Sequence, residues 1–153
     1  LPQVRLVSSS LPAIVEESLS IYRNTYPSIS FVSEINGEFP SLMLDPVQFK
    51  QVMVNLLDNA IHALHGHNGR IEVKLHFDSV LKIARIDCLD NGRGVSQQDK
   101  ARMFEPYYST KEKGTGLGLA IVASIVADHS GFIRVRDNHP RGTVISIELP
   151  GAA

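Results

Sequence analysis

The sequence holds a single cysteine, Cys88, in 153 residues. That scarcity excludes a disulfide framework and any metal site built from several thiolates. Cys88 sits in an apolar, strand-like run and reads as a small buried hydrophobe. An excess of charge is missing too: 15 Lys+Arg face 16 Asp+Glu, for a formal charge of −1. Such a chain has no bulk attraction for nucleic acid or for an anionic membrane. Apolar runs such as Val52–Val54 and Leu119–Val122 fall far short of the ~18–20 residues that cross a bilayer. The start, Leu1-Pro2-Gln3, has no initiator Met, no basic region and no apolar core of a signal peptide. We therefore expect a soluble, intracellular piece of a longer protein. No internal repeat or low-complexity tract divides it, and a chain of ~150 residues can bury roughly 70% of its unfolded surface as one domain.

What is present alternates helix and strand patterns. Residues 1–10 are irregular and Ser-rich and read as a linker. From Pro12 to Asn24, Ile14, Val15, Leu19 and Tyr22 recur at helical spacing behind a Ser10 cap. Ile29–Ile35 alternates like a strand. The clearest helix starts at Asp45, with Pro46 in its first turn and Gln48 placed as in a capping box. Phe49, Val52, Met53, Leu56, Leu57, Ala60, Ile61 and Leu64 hold its apolar spacing until Gly66 and Gly69. Ile71–Phe77 and Leu81–Leu89 suit a hairpin. A short helix over Gln97–Met103 precedes a long loop over Glu105–Gly116. Leu117–His129 is a second strong helix, ended by Ser130-Gly131, and strands at Phe132–Arg136 and Val144–Leu149 close the chain. The pattern predicts a two-layer α/β (α+β) sandwich: a mixed, largely antiparallel sheet covered on one face by helices.

Three features can carry chemistry. Asn55, Asn59 and His62 form one narrow stripe on the helix behind Asp45, opposite Leu56, Leu57 and Ala60. A solvated polar face normally uses better helix formers than Asn. Amide oxygens are neutral hard donors that suit Mg²⁺ already bound to phosphate and water. Asp90-Asn91-Gly92-Arg93-Gly94 leaves the end of an apolar strand. Its carboxylate can accept from an exocyclic amine such as adenine offers, although Asp-Asn-Gly is also ordinary turn chemistry. Gly114-Thr115-Gly116-Leu117-Gly118-Leu119 opens the last helix, where N–H groups and the helix dipole can meet phosphate. It is neither a P-loop nor a dinucleotide fingerprint, and a Gly-rich hinge is the bland alternative. Lys111 and Lys113 lie upstream, within reach of an anion or simply solvated.

Taken in order, Asn55-x-x-x-Asn59-Ala60, Asp90-x-Gly92-x-Gly94, Phe104-Glu105-Pro106, Gly114-Thr115-Gly116-Leu117-Gly118-Leu119 and Arg141-Gly142-Thr143 resemble the N, G1, F, G2 and G3 boxes of the sensor histidine kinase catalytic domain. The resemblance spans residues 11–150 and is strongest to nitrogen-regulation sensor kinases. It implies a Bergerat fold holding ATP and Mg²⁺ between the N-box helix and a lid. By that similarity Asn59 would coordinate Mg²⁺ with Asn55 beside it. Asp90 would accept from the adenine amine, with Gly92 and Gly94 closing on the base. Lys111 would approach the terminal phosphates as the catalytic positioning group. Gly114, Thr115, Gly116, Leu117, Gly118 and Leu119 would line the triphosphate, and Thr143 would close the adenine side. His62 stands where many relatives carry Lys or Arg, so as a neutral imidazole it would bind phosphate weakly. Ala63 stands where some relatives have an aromatic residue.

In the gyrase, Hsp90 and mismatch-repair branches a Glu replaces Asn55 and activates water. An amide cannot take that proton, so slow hydrolysis is expected. None of the six histidines is followed by an acidic residue, as the family's phosphoacceptor is. The chain is therefore expected to be the ATP-binding half of a two-component protein-histidine kinase. Residues 1–10 would be the remnant of a linker, 11–150 the catalytic domain and 151–153 a tail. Its partners would be a histidine-bearing dimerisation domain of the same protein and, through it, a response regulator. No contact with nucleic acid or membrane is expected from this domain, which would lie in the cytoplasm, even within a membrane-anchored sensor. A stand-alone anti-sigma serine kinase, for which Glu would be expected at position 55, and a nucleotide-binding pseudokinase are the alternatives.

Overall fold

A computed structural model describes residues 3–108 and 117–151. In chain order its first elements are β1 (Val7–Ser9), α1 (Leu11–Thr25), β2 (Ser30–Asn36), β3 (Leu42–Leu44) and α2 (Pro46–Ala63). They are followed by β4 (Arg70–Asp78), β5 (Ile83–Asp90), α3 (Gln97–Lys100), α4 (Gly118–Asp128), β6 (Phe132–Asp137) and β7 (Thr143–Pro150). The expected N-caps form, with Ser10 accepting from Ala13 N and Asp45 from Val47 N and Gln48 N, but the capping box does not close, because the Asp45 N–H donates to His129 Nε2 and not to the Gln48 side chain. Both helices start on a proline-bearing first turn, where a missing N–H costs nothing.

The sheet runs β2-β4-β5-β7-β6, antiparallel throughout except for the parallel β2/β4 pair. The β4/β5 hairpin turns through Asp78, whose Oδ1 accepts from Val80 N and Leu81 N at 2.9 Å each. Strand alternation sends Ile71, Val73, Leu75, Ala84, Ile86, Cys88, Ile145, Ile147 and Leu149 into the core beneath α1, α2 and α4. Burial, with the Asp90 and Asp87 charges adding to it, pushes the Cys88 thiol up to about 12. The opposite face is a ladder of charge, with Lys74 on Glu34, and Arg85 and Arg136 on Asp87.

The departures from expectation are short: Leu42–Leu44 forms a strand that the pattern did not show, and the helix expected over Gln97–Met103 stops at Lys100. Residues 7–9, inside the stretch read as an irregular linker, form β1 and pair antiparallel with β3. A two-stranded ribbon of three-residue strands is too short to show a period-2 pattern.

Asp45 is the joint between these parts. Its carboxylate caps α2 and also accepts from Arg5 N at 3.0 Å, while its own N–H donates to His129 Nε2 at 3.0 Å. The Arg5 N–H is the largest cause holding the Asp45 carboxyl below its ordinary value of 3.8, with the Gln48 and Val47 N–H groups adding to it against the cost of burial. A lowered folded-state value means that this stabilisation is complete above 3.8 and is lost as the pH falls through the lowered value. We expect Asp45→Ala to cost about 1–2 kcal/mol near neutral pH. In denaturant melts across the acid range, the gap between wild type and Asp45→Asn should close as the pH drops below 3.8; a constant gap would contradict this account of the carboxylate.

Candidate functional site

The core face of the sheet changes character at its last rung. Val73, Cys88 and Ile145 lie abreast, and Leu75, Ile86 and Ile147 do so one step away. At the end, Asp90 stands between Ile71 and Thr143. Asp90 therefore occupies a position whose register calls for a hydrophobe, and it is only 4% exposed. Its Oδ1 accepts from Gly92 N at 2.9 Å. Burial is the largest influence on its carboxyl and raises it above the ordinary value of 3.8, against the N–H groups of Gly92 and Thr143, which lower it. Beside it the Thr143 hydroxyl is buried without a hydrogen-bond partner among the described residues.

Close backbone contacts form the walls. The Asp90 carbonyl accepts from Asn138 Nδ2 at 2.8 Å, and the Gly92 carbonyl from Arg141 Nε at 2.7 Å. Arg93 N donates to the Ala63 carbonyl at 3.0 Å, docking the loop after β5 onto the end of α2. A Cβ at Gly92 would lie 2.3 Å from that carbonyl oxygen. Gly142, at φ +110°, would bring a Cβ to 1.9 Å from the Asp90 carbonyl oxygen. Both positions need glycine because backbone approaches backbone there. Gly94 lies next along the same loop, facing the Gly142 carbonyl.

About 12 Å back along α2 from Ala63, at 1.5 Å per residue, stands Asn55. It is half-buried; its Oδ1 accepts from Gln51 Nε2 at 3.2 Å, and its Nδ2 is buried without a partner among the described residues. Gly118, the first residue of α4, lies against this amide, since a Cβ there would sit 3.8 Å from Asn55 Cγ. Leu117, at the N-cap, makes no side-chain cap, and Gly118 and Leu119 form the first turn. The first turn of a helix presents N–H groups and the positive dipole end, the chemistry that receives an anion. Asn59 and His62 follow Asn55 on the same helix, both half-buried, with the His62 ring 6.0 Å from that of His65. Lys111, Gly114, Thr115 and Gly116 lie outside the described residues.

The structure thus brings Asp90, Gly92, Gly94 and Thr143 together at the C-terminal end of α2. It places Asn55 with Leu117, Gly118 and Leu119 some two turns away. Sequence reasoning missed Asn138 and the Ala63 carbonyl. A turn asparagine and a backbone oxygen carry no distinguishing signal; Arg141 and Gly142 were visible only as part of a motif. The donor set fits a divalent ion that stays largely hydrated and phosphate-bound. Asn55 and Asn59, four residues apart on one face of α2 and both half-buried, offer neutral hard oxygens.

A family model described as histidine kinase-, DNA gyrase B-, and HSP90-like ATPase matches residues 44–153. The nitrogen regulation protein NtrY of Azorhizobium caulinodans is 33% identical over 97% of this chain, which spans only 20% of that protein. The sensory histidine kinase/phosphatase NtrB of Rhodobacter capsulatus is 34% identical over 79% of the chain, equal to 37% of its own length. Among solved structures, the nucleotide-free catalytic domain of histidine kinase ThkA superposes with a TM-score of 0.87 at 29% identity, covering 96% of each chain.

Because the Asp90 carboxyl is raised in the fold, its neutral form stabilises the protein below 3.8, and that contribution is lost as the pH rises through the raised value. Wild type should therefore lose stability relative to Asp90→Asn over that interval, without nucleotide; a difference that does not vary with pH would refute the burial account. Thr143→Val, which removes the unpartnered hydroxyl, should stabilise the nucleotide-free chain by about 1 kcal/mol, read by denaturant melts.

Proposed function

From the premise that the chain belongs to the histidine kinase-, DNA gyrase B-, and HSP90-like ATPase family, we propose that it is the ATP- and Mg²⁺-binding catalytic domain of a sensor histidine kinase. It hands the γ-phosphoryl group to a histidine on another domain of the same polypeptide. The observation that carries this reading is the polar rung at the end of an apolar sheet face: a buried carboxylate at Asp90 beside an unpartnered Thr143 hydroxyl. A carboxylate accepts from the exocyclic amine of adenine and repels the carbonyl that guanine has instead. Gly92 and Gly94 let backbone close on the base, and Thr143 supplies a second polar contact.

At the other end, the first turn of α4 with Gly118 and Leu119, and Leu117 at its N-cap, would meet the phosphates; by the family resemblance Lys111, Gly114, Thr115 and Gly116, which lie outside the described residues, would join it. His62 offers only a weak contact there. Asn59, with Asn55 beside it, would hold Mg²⁺, which neutralises phosphate charge for an in-line transfer. Asn55 cannot act as the base that activates water, so hydrolysis does not compete with transfer. The domain takes in β1 as well as residues 11–150, because Val7–Ser9 pair with β3 and Arg5 N donates to Asp45, and the acceptor histidine belongs to another domain. A response regulator is met through that domain; ThkA is known in complex with the response regulator protein TrrA. No described helix is long and apolar enough to cross a membrane, and we place the domain in the cytoplasm, without contact to nucleic acid or lipid.

Calorimetric titration with ATP and GTP, with and without Mg²⁺, tests the reading. ATP-selective, Mg²⁺-dependent binding without turnover is expected. Asp90→Asn should lower ATP affinity by about 10- to 100-fold, the value of a charge-assisted hydrogen bond, and blunt the preference over GTP. Asn59→Ala should remove the Mg²⁺-dependent part of binding. Unchanged selectivity in the first variant, or persistent metal dependence in the second, would sink the corresponding assignment.

A further inference from the structure

Both ends of α4 rest on α2. The start of α2 meets the end of α4 where Asp45 N donates to His129 Nε2 at 3.0 Å. The middle of α2 meets the start of α4 where Gly118 lies on Asn55. At 1.5 Å per residue, about 15 Å of helix separates Asp45 from Asn55, and about 16 Å separates Gly118 from His129. The two helices therefore run antiparallel as equal rails, and an axial shift at one end must reappear at the other.

His129 is built to prevent that shift. It is 6% exposed, and both ring nitrogens are engaged: Nδ1 donates to the Ile125 carbonyl at 2.7 Å while Nε2 accepts from Asp45. This pairing fixes one tautomer and one rotamer. The ring also meets Phe49 edge-on, with centroids 4.8 Å apart. Asp45 in turn is anchored by its caps and by Arg5 N. Asp90 and Thr143, by contrast, are held by β5, β7 and the loop docked on the end of α2, and among the described residues no hydrogen bond ties them to α4.

We propose that His129 is a positioning residue for the phosphate end of the nucleotide site: by fixing the axial register of α4 on α2, it sets the first turn of α4 against Asn55 from the far end of the helix. The proposal rests on the nucleotide reading given above and goes beyond it by separating the two ends of the site. Loss of the Asp45–His129 bond should weaken binding of the triphosphate and spare the base.

The test titrates adenosine and Mg·ATP against wild type, His129→Gln and His129→Asn. The Gln amide oxygen can reach the position of Nε2, whereas the Asn side chain reaches only that of Nδ1. For the Asn variant we expect the ratio of ATP to adenosine affinity to fall on the order of tenfold, with adenosine affinity unchanged and Gln restoring the ratio. Phe49→Leu, which loosens the same core but keeps the bond, should leave the ratio intact. In the wild-type chain, linkage requires Mg·ATP but not adenosine to slow hydrogen exchange at the Asp45 amide. Equal losses for both ligands, a Gln variant no better than Asn, a matching effect of Phe49→Leu, or Asp45 exchange indifferent to the triphosphate would each overturn the proposal. Failure of the wild-type chain to bind ATP would bring down the nucleotide reading, and this one with it.

Discussion

The fold depends on one carboxylate accepting three backbone N–H groups. Asp45 ends β3, begins α2, holds the incoming chain at Arg5 and, through its own amide, grips the end of α4. These elements are far apart in sequence, and no single apolar contact orients all of them. Hydrophobic burial brings α1, α2 and α4 onto the sheet but is indifferent to small sliding motions. Directional bonds at a buried joint remove that freedom.

Asp45 and Asp90 are both buried aspartates, and their environments push them in opposite directions. Asp45 receives enough N–H groups to outweigh desolvation, whereas at Asp90 desolvation prevails over the bonds from Gly92 and Thr143. The first arrangement serves the fold. The second leaves acceptor capacity and an unpartnered Thr143 hydroxyl at the end of an otherwise apolar face, a combination that gives the folded chain little and suits a ligand with a donor to offer.

Much of this was legible in the sequence because it is written locally. The capped start at Asp45, the apolar stripe from Phe49 to Leu64 and the β4/β5 hairpin each depend on residues close in the chain, and all three form. The two-layer arrangement follows from them. The β1/β3 ribbon and the parallel pairing of β2 with β4 are non-local, and nothing in three or seven residues specifies their partners. At the site, Asp90 and its glycines stood out by composition. The geometry that matters there (the Ala63 carbonyl against Gly92, and Asn138 on the Asp90 carbonyl) belongs to backbone atoms and a turn with no pattern of its own. His129 was read only as the last residue of a helix. Its use appears once Asp45, remote in sequence, is seen beside it.

The unfinished polar rung has a consequence for the life of the protein in a cell. A ligand that completes the pairing of Asp90 and Thr143 binds only the folded chain, so its free energy adds directly to stability, growing with the logarithm of its concentration. The fraction of molecules open to proteolysis then follows the supply of that ligand. A domain arranged this way resists unfolding the more of that ligand surrounds it.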